Sequence, residues 1–110
     1  MKREYLPNRR ESYTMKLTAD GVTAHVSISP PHDVGAPKEV FISGPRPGSQ
    51  MDHVLHDVAV IISVALQYGI EPAALAKSIT RTPQGNAHSI VGAVIDLLNL
   101  KPSATVENDG

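Results

Sequence analysis

The sequence contains no cysteine, no tryptophan and a single phenylalanine. Without cysteine it can form no disulfide, no thiolate metal site and no thiol radical. It also lacks an apolar run of the roughly 20 residues that cross a bilayer, so we predict no membrane segment. Ten basic and eleven acidic side chains give a net charge of −1, which does not favour a sequence-specific nucleic acid partner. The N-terminus is polar and shows no apolar segment of a signal peptide, so we expect a cytoplasmic protein.

A length of 110 residues suits one domain with one modest core. Residues 1–11 contain a basic cluster and predict a solvated arm. Residues 12–100 carry the periodic apolar patterns and predict a single α+β domain. Residues 101–110 are mostly polar and small, which favours a loose C-terminal tail.

Three segments alternate apolar and polar residues with a period of two, which predicts strands with one buried face. They are Ser12–Ala19, Val22–Ser29 and Lys38–Ser43. Asp20-Gly21 is a two-residue hairpin signal between the first two strands, so we expect an antiparallel meander. The alternation places His25 and Phe41 on the outer face. An exposed Phe41 would suggest a homodimer surface there.

A long helix is predicted between Ser49, which with Asp52 forms a capping-box-like pair, and Gly69, which can close the helix in a left-handed conformation. Only Ser63 is polar between Val58 and Leu66, so we expect this part to be enclosed on most sides. The apolar positions at helical spacing are Met51, Val54, Leu55, Val58, Ile61, Ile62, Ala65 and Leu66.

Two shorter helices should follow, one opening at Pro72 and one spanning Ser89–Leu100. Gly92 and Ala93 would allow the last helix to pack closely on the long one. The predicted architecture is α+β: a three-stranded antiparallel β-meander packed on a long central helix, with two further C-terminal helices (βββααα). The sheet residues expected against the long helix are Tyr13, Met15, Leu17, Val22, Val26 and Ile28.

The loop from Gly44 to Ser49 is the first candidate site. Its glycines and the start of the helix could point N–H groups at an anion, and Arg46 could clamp a phosphate or carboxylate. The sequence is not a Walker A loop, because no lysine follows its last glycine. The alternative is a structural cap, with Asp52 occupying the positive end of the helix.

His53, His56 and Asp57 lie on one helical turn and form a second candidate, a metal or metal-assisted hydrolase site. A metal would need a fourth group, such as His32 or His88. The alternative is a solvated helix face, and we predict no bound cofactor.

Arg81, in the polar loop between the shorter helices, could reach an anion, or the loop could simply cap those helices. The arm adds two further arginines. The predicted anion-binding or partner-binding residues are Arg9, Arg10, Arg46, Ser49 and Arg81. No serine lies in a G-x-S-x-G elbow, so we predict no catalytic residue.

Several segments together resemble one known family, the TSCPD domain family. They are LPNRR, EVFISG, the G-x-x-x-GS loop, the long helix ending in LQYG, and AKSITR, spread over residues 6–98. Members occur as short stand-alone proteins and as a C-terminal module of adenosylcobalamin-dependent ribonucleotide reductases. The resemblance therefore implies an association with that system.

The family's cysteine motif is absent, so its metal role is not carried over. Ribonucleotide reduction needs a cysteine thiyl radical, which this sequence cannot form. We therefore predict a non-catalytic accessory module that docks to a reductase large subunit or to a second copy, or binds a nucleotide. The alternatives are a reductase-like role in deoxyribonucleotide synthesis, the hydrolase-like site, and a structural piece of a phage or genomic-island protein set.

Overall fold

The computed structural model describes Arg3, residues 12–30 and residues 35–100. Three strands precede three helices, which confirms the predicted α+β class and the βββααα order. The strands are β1 (Tyr13–Ala19), β2 (Val22–Ser29) and β3 (Glu39–Ser43). The helices are α1 (Gln50–Gln67), α2 (Pro72–Ala76) and α3 (Ile90–Leu98). The predicted arm, apart from Arg3, and the predicted tail lie outside the described residues.

The strands form one antiparallel sheet in the order β1-β2-β3. Asp20 and Gly21 have φ angles of 54° and 75°, the left-handed conformations that a two-residue hairpin needs. This turn pairs Ala19 with Val22 and thereby fixes the register of the strands. As predicted, His25 and Phe41 are exposed on the outer face.

The inner face of the sheet is covered by two helices rather than by one. α1 packs on β3, and α3 packs on β1 and β2. The prediction that the inward residues of β1 and β2 lie against the long helix, with the shorter helices completing the layer, is therefore only partly right, and Tyr13 at the start of β1 stays 39% exposed. The buried core consists of Ala24, Val26, Ile28, Val40, Ile42, Leu55, Ala59, Ile62, Leu66, Ile90, Val94, Ile95, Leu97 and Leu98.

Both ends of α1 are held by local hydrogen bonds. At the start, the Ser49 hydroxyl accepts from the Asp52 N–H at 3.2 Å. At the end, Gly69 has a φ of 97°, its N–H donates to the Leu66 carbonyl, and the Ile70 N–H donates to the Ala65 carbonyl. These two bonds form a Schellman motif, which confirms the predicted stop at Gly69.

The expectation that α1 is enclosed on most sides between Val58 and Leu66 is wrong. Val60 and Ile61 are 60% and 68% exposed, whereas the polar Ser63 is buried. Because α1 packs on one edge of the sheet, only one of its faces can be covered.

The small residues of α3 do not pack on α1 as expected. A Cβ added to Gly92 would lie 3.1 Å from Ile79 Cδ1 and 3.1 Å from Ala87 Cβ, so this glycine makes room for the segment between α2 and α3. Among the described residues, no helix has the length and apolar character needed to cross a membrane.

Candidate functional site

The outer edge of β3 is covered by side chains of α1 where a fourth strand would otherwise pair. The Gln67 side-chain amide donates to the Lys38 carbonyl at 3.1 Å. The Ser63 hydroxyl accepts from the Val40 N–H at 2.9 Å and donates to the Val40 carbonyl at 3.0 Å. These bonds satisfy backbone N–H and C=O groups at the edge of β3, which could otherwise pair with a strand of another chain.

We call these side-chain bonds from α1 to β3 the ladder. Its spacing follows from helix and strand geometry. Two residues of a strand cover about 6.6 Å and four residues of a helix about 6 Å, so every second strand residue meets every fourth helix residue. Gln67 meets Lys38 and Ser63 meets Val40, which places Ala59 opposite Ile42. Alanine has no hydrogen-bonding side chain, so within the described residues α1 offers Ile42 no side-chain bond like those at Lys38 and Val40.

A cavity of about 350 Å³ lies along this edge. Its lining includes β3 and the α1 residues that face it. These are Arg3, Glu39, Val40, Phe41, Ile42, Ser43, His56, Ala59, Val60, Ser63 and Gln67. Arg3 donates from Nε to Gln67 Oε1. This bond helps to fix the side-chain amide of Gln67, which donates to the Lys38 carbonyl of β3.

The predicted anion loop already carries a carboxylate. Asp52 accepts from the Gly44 N–H at 2.8 Å and from the Gly48 N–H at 3.0 Å. These two bonds, the Gly48 bond first, lower the pKa of Asp52 below its ordinary value of 3.8, with smaller help from His56 and His53 and against the effect of burial. The helix start is thus occupied by a side chain of the protein itself.

A capping box has two hydrogen bonds, and only one of them forms here: the Asp52 N–H donates to the Ser49 hydroxyl. The Ser49 N–H donates to the Arg46 carbonyl instead of to Asp52, because the Asp52 carboxylate is turned to the two glycines. A Cβ added to Gly44 would lie 2.9 Å from the Asp52 Cα, so this close approach requires glycine.

Arg46 and Arg81, two of the predicted anion-binding residues, lie in different loops. Arg46 is exposed in the loop before α1, and its side chain has no hydrogen bond or ion pair within the described residues. Arg81 forms two bonds to Asp96 on α3, at 2.8 and 2.9 Å, and donates to the carbonyls of Ala76 and Gly85. Arg9 and Arg10 lie outside the described residues.

The Arg81–Asp96 pair ties α2, the following loop and α3 together. Its two parallel bonds raise the pKa of Arg81 and lower that of Asp96. Both side chains are partly exposed, so solvent screens the pair. A backbone bridge between Arg81 and Ala87 closes the same loop.

The histidine candidates lie at the exposed start of α1. His53, His56 and Asp57 are all exposed, and His56 Nε2 lies 3.4 Å from Asp52 Oδ1 rather than beside Asp57. Within the described ranges, no group of three or more His, Cys, Asp or Glu side chains is placed to hold a metal ion. His32 lies outside those ranges.

The outward face of α1 carries a second apolar stripe, which we call the outer stripe. Its members follow the three-four spacing of a heptad seam, the pattern by which one helix packs along another. They are Met51, Val54, Val58, Ile61, Ala65 and Tyr68, with Met51, Val54, Ile61 and Tyr68 exposed. From Val58 to Ile70 the chain has no charged residue.

The outer face of the sheet has a different character. The hydroxyls of Thr14 and Ser27 pair at 2.8 Å, and those of Thr18 and Thr23 pair at 2.9 Å across β1 and β2. Phe41 is exposed there among polar neighbours. The larger apolar surface of the described chain is therefore on α1.

The sequence patterns did not identify Ser63 and Gln67 as the residues that complete the sheet edge. A signal was present, because polar residues at positions i and i+4 interrupt an otherwise apolar helix. That spacing marks a polar row on a helix face, and burial of the row requires partners such as a strand edge.

The chain is similar to three vitamin B12-dependent ribonucleotide reductases. It is 37% identical over 68 residues to that of Agrobacterium fabrum, covering 62% of this chain and 5% of the relative. It is 27% identical over 104 residues to that of Rhodopirellula baltica, covering 88% and 10%. It is 31% identical over 68 residues to that of Bradyrhizobium diazoefficiens, covering 62% and 5%.

The chain therefore spans a tenth or less of the length of these curated relatives. No solved structure matches it significantly. The model of the TSCPD domain matches residues 2–100, nearly the whole chain. This protein belongs to the TSCPD domain family.

Proposed function

We propose that the chain is a non-catalytic accessory module that docks to a ribonucleotide reductase polypeptide through the outer stripe of α1. The observation that carries the proposal is the exposed heptad-spaced stripe of Val54, Ile61 and their neighbours. Exposed apolar patches rimmed by polar residues commonly mark protein interaction sites. His53 and Asp57 supply such a rim at one end of the stripe.

The choice of partner rests on the relatives. Three reductases contain a segment similar to this chain within a polypeptide at least ten times as long as the matched part. A module that is joined to a large protein in one setting can dock to it as a separate chain in another. The 110 residues include no cysteine, which supports a binding role rather than thiol chemistry of their own.

The test is to measure the affinity of the chain for a purified vitamin B12-dependent ribonucleotide reductase by calorimetry. We expect the double variant V54S/I61S to bind at least about tenfold more weakly, since removal of two anchors that docking would bury costs more than about 1.4 kcal/mol. The matched control F41S/L100S alters two exposed apolar residues outside the stripe and should bind like the unmodified chain.

Equal weakening by both double variants, or no binding by the unmodified chain, would contradict this proposal. Ultracentrifugation of the chain alone tests the homodimer alternative. A dimer that V54S/I61S dissociates would assign the stripe to a second copy instead of to a reductase.

Binding of a nucleotide-like anion is the second candidate. The exposed Arg46 beside Ser49 favours it, whereas Arg81 is engaged by Asp96 and Asp52 holds the loop N–H groups. Titration with ribonucleotides and deoxyribonucleotides, followed by the amide signals of Arg46 and Ser49, tests it. Unchanged signals at millimolar ligand would remove this candidate.

A further inference from the structure

The two edges of the sheet differ in how they are covered. The edge of β3 is covered by the ladder, through Ser63 and Gln67 of α1. The edge of β1 has no such cover within the described residues, because β1 pairs only with β2 and its main helix contact is with α3 on the inner face. An uncovered strand edge can pair with a strand of another chain.

The hairpin register shows which backbone groups lie at the edge of β1. In an antiparallel pair, the N–H and C=O groups of successive residues point alternately to one side and the other. Ala19 and Val22 close the two-residue hairpin and exchange hydrogen bonds, so every second residue of β1 bonds β2. The backbone groups of Thr14, Lys16 and Thr18 therefore face away from β2. They have no hydrogen bond from the described part of the chain.

The opposite edge of the sheet confirms this alternation. Tyr13 pairs with Ile28, and Ile28 pairs with Val40. Because Tyr13 bonds β2, the same alternation requires the backbone groups of Val40 to point away from β2. They do so, since both of them bond the Ser63 hydroxyl of α1.

The inward side chains of β1 are also incompletely covered. No residue of this strand is fully buried, whereas most inward residues of β2 are. Met15 and Leu17 are half-buried against the core, and Tyr13 is exposed. A strand added at this edge would therefore cover apolar side chains as well as bond the free backbone groups.

A second copy of β1 can pair here only where outward groups meet outward groups, which places a twofold axis at one residue of each strand. An axis at Lys16 would set two lysines directly opposite each other, which is destabilising. An axis at Leu17 would set Asp20, a residue of the hairpin turn, opposite Thr14. An axis at Thr14 would set Thr18 opposite residue 10, which precedes the strand.

We propose that two copies of the chain pair through β1, antiparallel about a twofold axis at Met15, and so join their sheets into one. This register sets Thr14 opposite the partner's Lys16 and Ser12 opposite the partner's Thr18, and Met15 meets its own copy on the inner face. Lys16 acts as a selective charge, since it disfavours the neighbouring register. The surface is separate from the outer stripe, so the proposal does not depend on docking to a reductase.

The first test uses the absence of cysteine, because a single introduced thiol then reports the register. Directly opposite residues of this kind have Cα atoms about 4.5 Å apart, within reach of a disulfide. Two copies of residue 17 would be separated by roughly 14 Å. With oxidised glutathione, we expect Met15→Cys to form a linked dimer at least about tenfold faster than Leu17→Cys. Equal rates, or faster linkage of Leu17→Cys, would overturn the proposal.

The second test needs no substitution and follows amide hydrogen exchange of the unmodified chain. At a concentration where ultracentrifugation shows monomer, the amides of Thr14, Lys16 and Thr18 should exchange rapidly, while β2 protects those of Met15 and Leu17. At a concentration where it shows dimer, all five should be protected. The variant V54S/I61S should form the same dimer, because its changes lie on the outer stripe.

Three results of the second test would overturn the proposal. A chain that stays monomeric at millimolar concentration has no such interface. A dimer in which the three outward amides still exchange rapidly pairs through another surface. Protection of those amides in the monomer would show that the chain's own arm covers the edge; the bond of Arg3 to Gln67, at the opposite edge of the sheet, argues against that occupant.

Discussion

The two long faces of α1 are both rich in apolar residues but differ in what they contact. The inner face contains Leu55, Ile62 and Leu66, which are buried against the sheet, together with the buried polar residues Asp52, Ser63 and Gln67. The outer stripe contains no charged residue, and four of its six members are exposed. Polar residues are therefore buried where a strand edge and a loop offer partners, and apolar residues are exposed where the described chain offers no cover. Burial in this helix follows available partners rather than hydropathy alone.

The largest expected contrast between the faces comes from removing one apolar side chain from each. Leu66→Ala should lower the free energy of unfolding by about 2–5 kcal/mol, because it leaves a cavity in the core. Ile61→Ala, on the outer stripe, should change it by less than about 0.5 kcal/mol. Urea denaturation measures both. Similar losses for the two variants would show that the outer stripe is covered by the rest of the chain.

A smaller effect is expected for the buried hydroxyl of the inner face. Ser63→Ala leaves the N–H and C=O of Val40 unpaired and should cost about 1–3 kcal/mol. Ser78→Ala makes the same change at an exposed position and serves as the control. If the two variants unfold at the same urea concentration, the ladder does not stabilise the edge of β3.

The smallest effect concerns the acid sensitivity of the start of α1. The pKa of Asp52 is lowered in the folded state, so its contribution to stability is present above the ordinary value of 3.8 and is lost as pH falls through the folded pKa. Asp52→Asn should therefore reduce the loss of stability between about pH 5 and pH 2.

Asp96→Asn extends the acid experiment to a second carboxylate. The pKa of Asp96 is also lowered, by Arg81, so each single variant should remove part of the acid dependence and the double variant should remove more. Thermal unfolding at several pH values measures this. An Asp52→Asn protein with the full acid dependence of the unmodified chain would contradict the assignment of the two glycine bonds.

The sequence predicted the elements of the fold well because local signals determine them. Asp20-Gly21, Ser49, Gly69 and Pro72 act through backbone conformation and capping, which depend on near neighbours. The faces of α1 were harder, because Val60, Ile61 and Ile62 are all apolar and periodicity alone cannot assign their surroundings.

The candidate site was predicted only in part, for the same reason. The glycines and Ser49 marked the loop before α1, and the alternative of a structural cap named Asp52, but the sequence did not specify that its carboxylate would bond the N–H groups of Gly44 and Gly48. The pairing of Ser63 with Val40 spans 23 residues and depends on where the helix is laid against the sheet. Such long-range partners emerge only once the elements are packed.

Ile61 and Ile62 are adjacent in sequence, but Ile61 belongs to the outer stripe and Ile62 faces the core, so they are 68% and 5% exposed. Methyl NMR of both side chains during titration with a vitamin B12-dependent ribonucleotide reductase tests the proposed docking surface most directly. We predict that the Ile61 methyl signals shift or broaden at substoichiometric reductase, while those of Ile62 change much less. Unchanged Ile61 signals, or changes confined to residues away from the outer stripe, would contradict the account.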